Sequence, residues 1–159
     1  MNKIKKYLFF ISLLSFVYLE EMESIKEKQN LAISYIESNL YEDANIIYEN
    51  ILNIKKDILG NHNVALVETL HDLYNINILM DNTKLAQFYL KEALHLQYIN
   101  FLFTQKKYLP TLIKFQELYS YQKDTLKSTV IDSLIFELLN MNKDSSKAFI
   151  DTSIVYPNI

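Results

Sequence analysis

Apolar residues are distributed along this chain in two ways. From Tyr7 to Leu19 they form one continuous run, preceded by Lys3, Lys5 and Lys6 and followed by Glu20, Glu21 and Glu23. Beyond residue 24 they recur at helical spacing and are broken at a few polar points. Two such breaks are Gly60-Asn61-His62-Asn63 and Asp81-Asn82-Thr83, which carry the residue types of helix ends and caps. Pro110 suits the first turn of a helix, where its missing N–H costs nothing. The pattern predicts helices over 24–38, 41–57, 64–80, 83–99, 109–121 and 124–140. A further helix is expected around 144–151, followed by a short apolar tail.

Composition points the same way. The 159 residues include one Gly and two Pro, fewer than strands joined by tight turns need. Helices favour such scarcity, since Gly and Pro weaken a helix interior by roughly 1 and 3 kcal/mol relative to Ala. Half the residues are hydrophobic, enough for a packed core. An all-α fold is therefore expected.

The N-terminal run has the form of a secretory signal: a basic start, then 13 apolar residues. It is short for a membrane span, which takes about 20 residues. Its end, Ser15-Phe16-Val17-Tyr18-Leu19, lacks a small-x-small cleavage site, so an uncleaved anchor is the alternative. A first amphipathic helix of the fold is disfavoured, because the run has no polar face. Residues 1–23 are thus expected to be a signal peptide or membrane anchor, 24–140 a helical domain, and 141–159 a tail with a partial capping helix.

Within the helical domain the chain repeats itself. Asn30-Leu31-Ala32-Ile33-Ser34-Tyr35, Asn39-Leu40-Tyr41-Glu42-Asp43-Ala44, Ile47-Tyr48 and Ile51-Leu52 align without gaps on Asp72-Leu73-Tyr74-Asn75-Ile76-Asn77, Asp81-Asn82-Thr83-Lys84-Leu85-Ala86, Tyr89-Leu90 and Ala93-Leu94. The offset is 42 residues throughout. Ala44 and Ala86 let two helix backbones approach, and larger residues further along fill the groove. A third unit is looser: Phe115, Leu118-Tyr119 and Ser128 keep the offset, but Asp132 stands where an apolar residue is due.

These units resemble the tetratricopeptide family in its long, 42-residue form, found in kinesin light chains and many bacterial proteins. That form reads N-L-A-x-L-Y, G-x-Y-x-x-A, L-Y-x-x-A-L and L-G-x-x-H-P. Asn30 to Tyr35 is similar to the first element, and Asn39 to Ala44 to the second with Asn for Gly. Leu59-Gly60-Asn61-His62-Asn63 is similar to the fourth with Asn for Pro. The resemblance covers 26–98 well and 107–139 loosely. It implies a short right-handed α-solenoid of about three antiparallel helix pairs. Packing would fall to Leu31, Ala32, Tyr35, Ala44, Tyr48, Leu73, Ala86, Leu90 and Ala93. In this family the first helix of each pair lines a concave groove for a peptide. Asn30, Ile33, Asp72, Asn75, Lys114 and Glu117 would then be the partner-binding residues, forming a polar groove of mixed charge.

Chemistry beyond binding finds little in the sequence. All 16 basic residues are Lys, the net charge is −3, and no Lys-rich face emerges, so no nucleic-acid partner is expected. There is no cysteine, hence no disulfide or thiol chemistry. His62, His71 and His95 lack metal-site spacing, although His71-Asp72 and His95 fall on paired helices. One glycine cannot build a phosphate loop or nucleophile elbow. The tyrosines Tyr35, Tyr41, Tyr48 and Tyr119 sit at packing positions, while Tyr98, Phe101 and Phe103 fall in an irregular stretch that could line a groove. No catalysis, cofactor or metal is expected. The expected function is a protein-interaction module, exported to the periplasm or beyond, that binds a protein or peptide in the bacterial envelope. The alternative is an inner-membrane-anchored structural component that self-associates as a homo-oligomer, with the N-terminal segment its only membrane contact.

Overall fold

The computed structural model describes residues 3–100 and 106–140, and among these all regular structure is helical. Six α-helices follow in order: α1 (Lys3–Glu37), α2 (Tyr41–Leu59), α3 (Leu66–Leu79), α4 (Thr83–Asn100), α5 (Leu109–Tyr121) and α6 (Thr125–Asn140). A single 3-10 turn, Lys106–Tyr108, leads into α5. Each helix packs against the next in the chain. The expected tail at 141–159, with Phe101 and Phe103, lies outside the described residues.

Five of the six expected helices match within two residues at each end. The exception is α1, which starts at Lys3 and runs unbroken through residue 24. Nothing between Ile4 and Glu23 interrupts helix formation, since no Gly, Pro or cap residue precedes a turn there. The whole stretch 4–23 is exposed, and Ile25 is the first buried side chain. No described helix is long and apolar enough to cross a membrane.

Three turns are built identically. Asn39, Asp81 and Lys123 have φ of 59°, 57° and 57°, and they are 42 residues apart. At each, the following residue donates its N–H five residues back: Leu40 to Tyr35, Asn82 to Asn77, and Asp124 to Tyr119, at 2.8, 2.8 and 2.9 Å. The left-handed residue itself donates three back, to Ile36, Ile78 and Ser120. This is the Schellman ending, which satisfies the last carbonyls of the helix. It needs positive φ, which Asn and Asp tolerate better than most side chains. The next helix starts at once, with Asn82 Oδ1 accepting from Leu85 N and Asp124 Oδ1 from Lys127 N.

The other kind of turn is at Gly60, with φ 84° and ψ 156°. Its N–H donates to Lys56 O at 2.8 Å and closes α2. That backbone region is essentially restricted to glycine. A side chain would meet nothing within 4 Å, so backbone conformation alone demands the residue.

The core is one cluster threading all six helices. Ala44 and Ala86, directly after two Schellman turns, are completely buried, as are Ala32, Leu73, Leu90 and Ala93; Tyr48 is buried and Tyr35 half-buried against them. Full burial of each large aliphatic side chain contributes about 1.5–3 kcal/mol. Leu31 departs from its expected packing role, being 47% exposed while Leu73, 42 residues on, is fully buried. The reason is position: α3 and α5 each have a helix before them in the chain, whereas α1 is the first. The shift expected at Asp132 is also visible, since Asp132 is exposed and its neighbour Ile131 takes the buried place.

Polar side chains tie together helices that are two apart in the chain. Tyr89 OH donates to Glu49 Oε1 at 2.9 Å, and Lys56 pairs with Glu92 at 2.7 Å, joining α4 to α2. Tyr121 OH reaches Asp81 Oδ1, and Tyr74 OH donates to the Lys114 carbonyl, linking α5 to the α3 side. Asn77 donates to Asn45, and Asn45 to Glu49, so that network also includes α3.

Candidate functional site

Helices α1, α3 and α5 each leave a stripe of residues uncovered, spaced by a helical turn. On α3 the stripe is Glu68, Asp72 and Asn75, with Glu68 and Asn75 exposed and Asp72 half-buried. On α5, Lys114 is half-buried and Glu117 exposed; on α1, Asn30 and Ile33 are both exposed. Positions 30, 72 and 114 share the 42-residue offset, as do 33, 75 and 117. The opposite sides of α3 and α5 carry Leu70, Leu73, Leu112 and Phe115, all fully buried, which fixes the direction of the stripes.

Four of the six expected residues form one electrostatic neighbourhood. Lys114 Nζ donates to Asn75 Oδ1 at 2.7 Å and lies 5.0 Å from the centre of the Tyr74 ring. Burial pulls the Lys114 ammonium down from its ordinary value, while Glu117 and Asp72 push it back up. The Asp72 carboxyl is pushed up to about 6, first by burial and then by Glu68, against the opposing pull of Lys55 and Lys114. Glu117 also acts on Tyr74, whose hydroxyl is raised to about 12, mainly by burial. Asn30 and Ile33 stand apart: no described hydrogen bond ties either to this group.

The floor of the region comes from residues that sequence reasoning did not select. Lys55 of α2 is buried, and its Nζ donates to Thr69 Oγ1 at 2.8 Å. Thr111, 42 residues after Thr69 and equally buried, meets His71 Nε2 at 2.8 Å. Burial and the Lys114 charge push His71 down to about 4, so its ring is neutral at pH 7. Tyr48 of α2 is raised to about 12 by burial and by Asp72 and Glu68. The recurrence of threonine at 69 and 111 was a signal available in the sequence; the partners Lys55 and His71 were not, because they depend on how helices pack.

Chemically the group can donate, accept and hold charge, but its polar atoms are mostly engaged with adjacent helices. His95 is exposed on α4 and does not join His71, which is turned to α5. Among the described residues, no three His, Cys, Asp or Glu side chains converge as a metal site would require. Compared with known proteins, the chain matches no family model and no curated protein.

Proposed function

We propose that this chain is a non-catalytic protein-interaction module, a short tetratricopeptide-type solenoid whose α1, α3 and α5 stripes bind a protein or peptide. The observation that carries the reading is the threefold recurrence, at 42 residues, of one helix ending with the same positive-φ residue and the same backbone bonds. It agrees with the family resemblance at the position where the family has glycine and this chain has Asn39. The uncovered stripes keep the same offset, as a repeated binding face would. The mixed charge of Asp72, Lys114 and Glu117 with the amide of Asn75 suits a polar peptide better than an apolar helix.

The test is affinity capture with the full chain beside an Asn30/Asp72/Lys114→Ala variant shown by circular dichroism to fold. A partner held by the first and lost by the second supports the face. A partner held equally by both removes it.

A second reading, a self-associating component anchored in the envelope membrane, is favoured by one observation. The residues from Ile4 to Glu23 of α1 are all exposed, and Tyr7 to Leu19 offers apolar side chains on every side. Fractionation separates the two readings. An anchored chain stays with membranes after a salt wash, and an exported, cleaved one is released with the periplasm.

A further inference from the structure

Helix α6 exposes what its counterparts hide. Phe136 and Leu139 are 69% and 53% exposed. The residues 42 and 84 positions earlier are nearly inaccessible: Leu94 and Leu52 at 5% each in place of Phe136, and Gln97 and Lys55 at 4% and 7% in place of Leu139. Helices α2 and α4 are each followed by a helix that packs against them, α3 and α5. The uncovered face of α6 is therefore shaped for one more helix of the same kind. The 42-residue register states which residues that helix would present. Leu66 and Tyr108 lead to Ile150, Thr69 and Thr111 to Ser153, and Leu70 and Leu112 to Ile154. All six described residues are buried. The sequence thus keeps an aliphatic, a hydroxyl and an aliphatic residue at the three positions that press on the preceding helix. At the next position, held by Leu73 and Phe115, stands Pro157, which halts a helix.

We propose that the segment 150–156 of this chain docks on the exposed face of α6 as a truncated fourth first-helix, with Ile150 and Ile154 covering Phe136 and Leu139. The inference rests on the repeat reading above. The occupant is this segment because the register selects it and because nine residues tether it to α6, giving it a high local concentration. Leu139 would lie beside Ser153, as Lys55 lies beside Thr69. A cap of this kind closes an end that would otherwise stack on other copies.

Hydrogen exchange on the full chain tests it, comparing the natural sequence with Ile150→Asp/Ile154→Asp. Loss of the cap should speed exchange of the amides at 134–140 at least tenfold and leave α2 to α4 unchanged. Unchanged exchange at 134–140 overturns the proposal. Because the chain has no cysteine, Leu139→Cys/Ser153→Cys bridged by a short bis-maleimide gives a second measurement. Cross-linking within one chain, at a rate independent of protein concentration, supports the cap. Cross-linked dimers that grow with concentration overturn it in favour of a second copy. The repeat register is read separately from alanine substitutions in α2 and α4, so either idea can fail without the other.

Discussion

Replacing Ala86 by leucine puts the helix register under direct load. Ala86 has no accessible surface and follows a Schellman turn whose backbone bonds fix the approach of α4 to α3. Three added carbons have no free volume there and must displace side chains or backbone. Overpacking of this kind costs about 1–3 kcal/mol. Ala44→Leu faces the same situation in α2, one unit earlier. Ser128 occupies the third equivalent place but is only half-buried, with its hydroxyl 3.2 Å from that of Ser120. Ser128→Leu should therefore stay within about 0.5 kcal/mol, as surface substitutions do. Urea unfolding followed by helical circular dichroism reads all three. With a urea slope of about 1–3 kcal/mol per molar, the two alanine variants should lower the midpoint by several tenths of a molar or more. A Ser128→Leu cost equal to that of Ala86→Leu, or no cost at Ala44 and Ala86, would refute the claim that these positions are close helix contacts.

Lys123→Gly should raise stability by about 0.5–1 kcal/mol, because a left-handed lysine costs roughly 1–2 kcal/mol and the glycine gives back part of that as backbone entropy; Lys123→Ala, which keeps the strain, should not, and thermal melts compare them. Gly60→Ala and Gly60→Asn should each destabilise by about 1–3 kcal/mol in the same melts, since φ 84° with ψ 156° suits neither alanine nor asparagine. Asp72 and His71 predict opposite pH slopes. His71 is depressed from 6.5 to about 4, so the unfolded chain binds more protons between these values and stability falls as pH drops through that window. Asp72 is raised from 3.8 to about 6, so the folded chain binds more protons there and stability grows as pH drops. Unfolding of Asp72→Asn should show the first slope and of His71→Gln the second; identical profiles would refute the assignment.

Helix limits were legible because the breaks are made of residues with strong backbone preferences. Asn39, Asp81 and Gly60 take positive φ, Pro110 lies in the first turn of α5, and each marks an end visible from residue type alone. Lys123 was not legible in this way, because lysine has no such preference; only the 42-residue offset from Asp81 points to it. The exposure of Leu31 was hidden for a different reason. A repeat pattern names the face that a neighbour would cover, but the pattern does not say that α1 has no preceding helix. Of the candidate face, Asp72, Asn75, Lys114 and Glu117 came together because their spacing follows the stripe. The buried bonds of Lys55 to Thr69 and His71 to Thr111 join residues 14 and 40 apart, and local spacing carries no trace of such pairings.

The raised Asp72 carboxyl also makes the face self-reporting. Two lysines, Lys55 and Lys114, pull its pKa down, yet burial and Glu68 leave it at about 6. Its ionised form is therefore undercompensated just below neutral pH. A partner that places a positive charge beside Asp72 would stabilise the ionised form, lower the pKa and release a proton on binding. Its affinity must then rise as pH increases through 6. A partner that brings a carboxylate would raise the pKa further, take up a proton, and bind more weakly over the same interval. A partner seated elsewhere would leave Asp72 unmoved. The pH profile of affinity from 5 to 7.5, measured for the natural chain and for Asp72→Asn, separates these cases: a slope that vanishes in the variant places the ligand's charge at this face, and its sign gives that charge.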